Sequence, residues 1–286
     1  MHFKEAKGIL SPHNGMNIYR GCTHGCIYCD SRSRCYHMEH DFEDVQVKSN
    51  APELLEDALR RRRTRCMIGT GAMCDPYMHC ETELGYTRRC LEIIARHGFG
   101  LAIHTKSARI LRDLDLLKQI NRQAKCVVQF TLTAHDADLC RVLEPKVSDT
   151  AERVEALHIL RENGIPTVVW LCPVLPFLTD TEENIRALAQ DCAGAGVHGI
   201  ITFGMGMTLR EGNREYYYQK LDEHFPGLKQ KYIQTYGVQY SLHSEKHPAL
   251  MKILHEESDK AKMLCGTDNV FAYLRELEAD TQLRLF

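Results

Sequence analysis

The chain has 286 residues, 44% of them apolar and 26% charged, with a net charge of −2 at pH 7. That length and balance suit one large α/β domain or two small ones and exclude disordered and fibrous classes. A nearly neutral chain has no generally basic surface, so nucleic acid would have to meet a local patch.

Met1–Gly15 lacks a long apolar stretch, so no signal peptide is expected. The most apolar segment, Thr167–Leu178, is too short to span a bilayer and carries Pro173 and Pro176, which makes the expected location cytoplasmic. Short β-branched runs then alternate with helical periodicity. Strands are predicted at Met16–Arg20, Cys66–Thr70, Gly100–Thr105, Cys126–Leu132, Thr167–Leu171 and Gly199–Phe203. Between them, helices are predicted at Pro52–Arg63, Glu81–His97, Ala108–Ile120, Thr150–Glu162 and Thr181–Ala193.

Asp149 with Glu152, and Asp180 with Glu183, fit the capping box that satisfies free amides at a helix start. Gly98 and Gly164 sit where helices should stop. Such alternation implies a parallel sheet, and six units in about 200 residues suit an open doubly wound sheet or a partial barrel. After Met207 the alternation fades, and Glu245–His255 and Asp259–Glu278 read as helices. The expected organisation is a barrel over residues 1–207 and a helical C-terminal extension over residues 208–286, packed on the barrel.

The thirteen cysteines are odd in number and spread through a chain of ordinary enzyme length, unlike the disulfide framework of a small secreted domain. One group is tightly clustered: Cys22, Cys26 and Cys29, spaced C-x3-C-x2-C directly after the first predicted strand. Three thiolates on one loop can each bind a different iron of a [4Fe–4S] cubane, with Gly21 and Gly25 allowing the backbone to curl. Three ligands leave one iron open to a substrate or cosubstrate. The alternative is a zinc site with His24 or Cys35 as fourth ligand, although no second C-x2-C or H-x3-H pair accompanies it.

This loop resembles that of the radical S-adenosylmethionine (SAM) superfamily, and more of the chain resembles its spore photoproduct lyase-like branch. The likeness covers about residues 15–205 and rests on Asn17–Cys29 (NIYRGCTHGCIYC), Asp75–Tyr77, Thr87–Glu92, Thr105–Ser107, Arg112–Leu117, Glu144–Pro145 and Pro173–Pro176, in the expected order. It implies an α/β fold, a partial (β/α)6 TIM-type barrel with SAM across the C-terminal ends of the strands. It also implies an enzyme that cleaves SAM reductively at the cluster, forming a 5′-deoxyadenosyl radical that abstracts hydrogen from a substrate the sequence does not identify. An electron donor such as flavodoxin or ferredoxin is the implied partner.

By the same resemblance Tyr28 contacts the adenine through its backbone, Lys106 pairs with the methionyl carboxylate, and Thr131 bonds the methionyl end or ribose. Val174 lines the adenine pocket. Asp75 either touches SAM or caps the following turn. Superfamily members often carry Gly-Gly-Glu after strand two. Here the stretch is Gly69–Asp75 (GTGAMCD), which leaves recognition of the amino group open. Cys74 falls near the cysteine that spore photoproduct lyases use to return a hydrogen atom, and is the candidate donor here.

The substrate is less legible. Arg60, Arg61, Arg62, Arg63 and Arg65 form the single basic run, at a helix end before strand two, where a solvated face is the simpler explanation. Tyr216, Tyr217, Tyr218, Tyr232, Tyr236 and Tyr240 could stack on a base but better suit packing of the tail. His243, His247, His255 and Cys265 match no compact metal spacing. Beside the leading reading stand a DNA-lesion repair enzyme of the spore photoproduct lyase type and, from another class, a non-enzymatic zinc-binding structural or regulatory protein.

Overall fold

The computed structural model describes residues 1–277. Seven parallel strands form the main sheet: β1 (Gly15–Met16), β2 (Met67–Thr70), β3 (Gly100–Thr105), β4 (Cys126–Thr131), β5 (Thr167–Trp170), β6 (Gly199–Ile201) and β7 (Leu264–Cys265). Their spatial order is β7-β6-β5-β4-β3-β2-β1, so each strand lies beside its neighbour in sequence and the sheet does not close. A doubly wound sheet reverses its strand order at a switch point, and this one does not. The arrangement is a partial barrel.

Alternation along the strands sorts the core into two faces. Ile68, Leu101, Ile103, Val128, Val169 and Ile200 pack with helix residues such as Leu91, Ile94, Leu117, Leu157 and Leu188. Their alternate neighbours Met67, Ala102, Val127, Val168 and Ile201 form a separate cluster with Val270 and Leu274 of the C-terminal helix Thr267–Arg275. The tail therefore fills part of the inner face of the barrel. Lys125 fastens it by donating from Nζ to the carbonyls of Tyr273 (2.8 Å) and Glu276 (3.1 Å), where a cation suits a helix C-terminus.

The outer helices are α1 (Ala51–Arg60), α2 (Tyr86–His97), α3 (Leu114–Gln123), α4 (Thr150–Glu162), α5 (Glu182–Gly194) and α6 (His247–Ala261). The Asp149–Glu152 capping box opens α4 as expected. The proposed cap at Asp180 needs correction. Thr181 caps α5, accepting from the Asn184 amide, while the Asp180 carboxylate accepts from the Phe177 amide (2.7 Å) and the Ser244 hydroxyl (2.6 Å). A distant partner in the tail competes for that carboxylate.

Two predicted elements divide. Met16–Arg20 is not one strand: β1 pairs with β2, but Tyr19–Arg20 turns away to pair antiparallel with Gln46–Lys48, which also pairs with His2–Lys4. Glu81–His97 breaks at Gly85 (φ +62) into Glu81–Leu84 and α2. The Glu81 carboxylate is buried and accepts from the Thr87 amide (3.0 Å) and Arg112 (2.7 Å), so it caps the start of α2 from the preceding turn.

In the tail, helices at Asn213–His224, Leu228–Tyr236, α6 and Thr267–Arg275 accompany the hairpin Gly206–Thr208/Ser241–His243 and β7. The predicted helix Asp259–Glu278 is divided by β7, and its last residue, Glu278, lies outside the described residues. No described helix is long and apolar enough to cross a membrane.

Candidate active site

Parallel strands deliver their C-terminal loops to one end of the barrel. Loops following β1, β2 and β3 line a cavity of about 100 Å³ there, with Cys22, Cys26, Cys29, Cys74, Asp75 and Lys106 in its walls. His24, His104 and Gly71 complete the part that matters chemically.

The cysteine loop is held by main-chain bonds: the Cys22 amide to Phe42 O (2.9 Å), Ile27 to Leu143 O (3.0 Å) and Cys29 to Cys26 O (3.3 Å). Gly21 has φ +87, and a Cβ there would lie 2.5 Å from the Phe42 carbonyl oxygen, so only glycine lets the loop approach this closely. All three cysteines are free. Burial, with Asp75 adding to it at Cys22, pushes the Cys22 thiol well up, and burial likewise raises Cys26. A cation taken up by these sulfurs releases protons.

The donor set fits an iron–sulfur cluster better than zinc. Among the described residues only His2, His40 and Asp44 bring three ligand atoms within 4.8 Å of one another. Sulfurs around one tetrahedral zinc sit about 3.8 Å apart, given Zn–S bonds of about 2.3 Å. The sulfurs of Cys22, Cys26 and Cys29 do not all lie within 4.8 Å of one another, a spread that ligation of separate irons accommodates. Of the two candidate fourth ligands for zinc, Cys35 lies outside the cavity, while His24 stands in its wall. His24 directs Nδ1 to Asp75 (3.4 Å), and Cys35 is exposed beside Arg210 (3.2 Å).

The Asp75 carboxylate is buried and occupied by the protein itself. It accepts from the Tyr77 amide (2.8 Å), the Thr105 hydroxyl (2.7 Å) and the Lys106 amide (2.7 Å), with His24 alongside. Burial opposes its charge, but His24 and these donors hold its pKa below the usual carboxylate range. Asp75 thus ties the loop after β2 to the end of β3. Gly71 makes the same junction: at φ +98 its missing Cβ would lie 1.9 Å from the His104 carbonyl oxygen. Gly71→Ala is expected to destabilise the protein by about 2 kcal/mol or more, seen as a lower thermal midpoint.

Lys106 extends Nζ to the Thr131 hydroxyl (3.2 Å), which also meets His104 Nε2 (2.8 Å). Burial disfavours the Lys106 ammonium, yet Cys26 and Glu144 hold its pKa above the ordinary value, so it stays charged. Burial and Lys106 push His104 down to about 3, which leaves it neutral, and its ring stacks on Trp170 at 4.8 Å.

Behind this wall lies a buried network. Glu144 accepts from Arg153 and from the Tyr28 hydroxyl, and Arg153 also donates to Thr131 O (2.9 Å) and Ser148 O (2.8 Å). Both Glu144 and Arg153 are fully buried.

Cys22, Cys26, Cys29, Cys74, Asp75 and Lys106 therefore meet at one cavity, and Thr131 joins them through Lys106. Tyr28 and Val174 are not in that lining: Tyr28 is buried with its hydroxyl on Glu144 and Thr133, and the Val174 amide bonds Gly206 O (3.0 Å). The Cys74 thiol donates to Tyr19 O (2.8 Å). His104 and Arg153 went unrecognised in the sequence. Period-two alternation places His104 on the inner face beside Ala102, which could have drawn attention to it. Arg153, on a helix that otherwise reads as amphipathic, offers no such signal.

The arginines 60–63 and 65 are exposed between α1 and the start of β2, at the opposite end of the barrel from this cavity. Tyr217, Tyr232 and Tyr236 are buried with Ile27 and Leu143, which packs the tail under the cysteine loop.

A family model described as the radical SAM superfamily matches residues 16–192. An uncharacterized protein of Mycobacterium tuberculosis is 31% identical over 229 residues, which is 77% of this chain. The chain spans 66% of that relative's length. Among solved structures, a point variant of spore photoproduct lyase superposes with a TM-score of 0.68 at 13% identity, covering 92% of this chain and 80% of the other. Another variant of that lyase, with bound S-adenosylmethionine and dinucleoside spore photoproduct, gives a TM-score of 0.63 at 13% identity and covers 87% and 74%. At that identity the likeness is one of fold.

Proposed function

Because this chain belongs to the radical SAM superfamily, whose cofactors are a [4Fe–4S] cluster and S-adenosylmethionine, we propose that it is an enzyme abstracting hydrogen from carbon at the cavity described above. When bound, the cluster supplies one electron that breaks the sulfonium C–S bond of SAM, giving methionine and a 5′-deoxyadenosyl radical. Cys22, Cys26 and Cys29 hold the cluster, and the observation that carries this is their meeting with Lys106 and Cys74 around one cavity.

In this reading the Lys106 ammonium pairs with the methionyl carboxylate, and Thr131 orients that ammonium through its hydroxyl. Asp75 contributes by position, fixing the Lys106 backbone rather than offering a free oxygen to SAM. Lys106→Gln is expected to weaken SAM binding about ten- to a hundredfold, the worth of a charge-assisted hydrogen bond, with iron content preserved. Equilibrium dialysis with labelled SAM checks it.

Cys74 suits the return of a hydrogen atom to a product radical. Burial raises its thiol to about 12, so at neutral pH it keeps the S–H bond that such a transfer breaks, leaving a sulfur radical. This favours, as the narrower reading, a reaction in which the product radical is quenched inside the cavity, as in lesion repair.

The test is electron paramagnetic resonance of the anaerobically reconstituted, dithionite-reduced protein with and without SAM. A [4Fe–4S]+ signal that changes on SAM addition is the expected result. A silent spectrum with one tightly held zinc would overturn the enzyme reading in favour of a structural metal protein.

A further inference from the structure

Beside the cluster cavity lies a second pocket of about 250 Å³ that shares two of its walls, Ser31 and Met73. It opens where Tyr19–Arg20 leaves the main sheet to pair with Gln46–Lys48, and those short strands place Arg20 and Lys48 in its lining with Asn17 and Gln46. No carboxylate lines it.

Its two cations are arranged differently. Arg20 is anchored, donating to the carbonyls of Tyr36 and His37 (both 2.7 Å), so its position is set before any ligand arrives. Lys48 is half-buried and, among the described residues, its side chain neither pairs with a carboxylate nor donates a hydrogen bond, while its amide donates to Ile18 O (3.1 Å). Burial and the nearby Arg20 both act against its charge, so its pKa is lowered, while Cys74 acts the other way. Neighbouring cations without a counter-charge cost free energy, which an anion would recover.

We infer that this pocket receives an anionic group of the substrate, a phosphate or carboxylate, held by Lys48 and Arg20 next to the cluster cavity. The inference rests on the proposed radical chemistry and adds to it the class of substrate. Tyr19 lines this pocket and its carbonyl accepts from the Cys74 thiol (2.8 Å), so an anion held here brings the substrate near the thiol proposed to return a hydrogen atom. Ser31 and Met73 border both cavities, so the body of the substrate passes between them toward the cluster.

The experiment is calorimetric titration of the reconstituted full chain with inorganic phosphate and, separately, with acetate, in wild type, Lys48→Gln and Lys48→Arg. The same preparations are assayed for 5′-deoxyadenosine formation. Saturable binding that falls at least tenfold in Lys48→Gln and returns in Lys48→Arg is expected, with the tighter anion assigning phosphate or carboxylate. No saturable binding in wild type, or binding indifferent to Lys48→Gln, overturns the inference. If 5′-deoxyadenosine forms without anion binding, the inference alone fails. If anion binds but no SAM is cleaved, the radical reading fails and takes the substrate assignment with it.

Discussion

Replacing Cys26 by alanine is expected to remove the cluster, lowering iron from roughly four atoms per chain to background and abolishing 5′-deoxyadenosine formation. Three ligands already leave one iron open, and a cubane held by two thiolates on a curled loop exposes a second iron to solvent and loss. Burial keeps the Cys26 position dry, and no other free thiol lines the cavity except Cys74, whose S–H is engaged by Tyr19 O. Cys140 and Cys172 are the informative controls. They are free thiols outside the cavity lining, so their alanine variants should retain iron. Iron analysis and the reduced-state paramagnetic signal check both halves. Full iron retention in Cys26→Ala would show that the loop is not the ligand set.

Arg153→Met should destabilise the protein by about 3–5 kcal/mol at neutral pH, because it strands the buried Glu144 carboxylate. Methionine fills much of the volume but satisfies neither Glu144 nor the carbonyls of Thr131 and Ser148. The pH dependence separates this from a simple packing defect. Burial alone would raise Glu144, but Arg153, Lys106 and the Tyr28 hydroxyl hold its folded pKa below the ordinary value.

In wild type this stabilisation is present above the unfolded carboxyl pKa, about 4.3, and is lost as pH falls through the lower folded value. In Arg153→Met burial is opposed by fewer donors, so the folded pKa rises and the variant gains relative stability on acidification. The difference between the two unfolding curves, measured in urea from pH 7.5 to 4.5, should therefore narrow. A constant difference would mean that Glu144 carries no strain from the lost partner. Since Arg153 also holds the β4 end that carries Thr131, weaker SAM binding should accompany the stability loss.

What the sequence determined by itself was whatever local chemistry demands. The C-x3-C-x2-C spacing with its glycines marked the metal loop, period-two runs gave five of the six predicted strands their places in the sheet, and the Asp149–Glu152 box opened α4. Each of these depends on residues within a few positions of one another, where backbone geometry and hydrogen-bond reach settle the outcome.

Partners far apart in the chain decided the rest. Nothing within Met16–Arg20 marks the point where the backbone leaves β2 for Gln46–Lys48, since either sheet satisfies the same amides. Asp180 is next to a helix start, but Ser244 claims its carboxylate from 64 residues away. The tail reads as helices, yet Leu264–Cys265 supplies the edge strand and Val270 and Leu274 fill the inner face, because an unclosed barrel leaves apolar side chains that a later segment must cover. The site divides in the same way. Its cysteines lie on one short loop and are visible as a motif, whereas the Glu144–Arg153 pair, the placement of Lys106 against Thr131 and the pairing of Arg20 with Lys48 in one pocket exist only after the strands have assembled. Buried charges find their counterparts through space, and sequence distance carries no record of that choice.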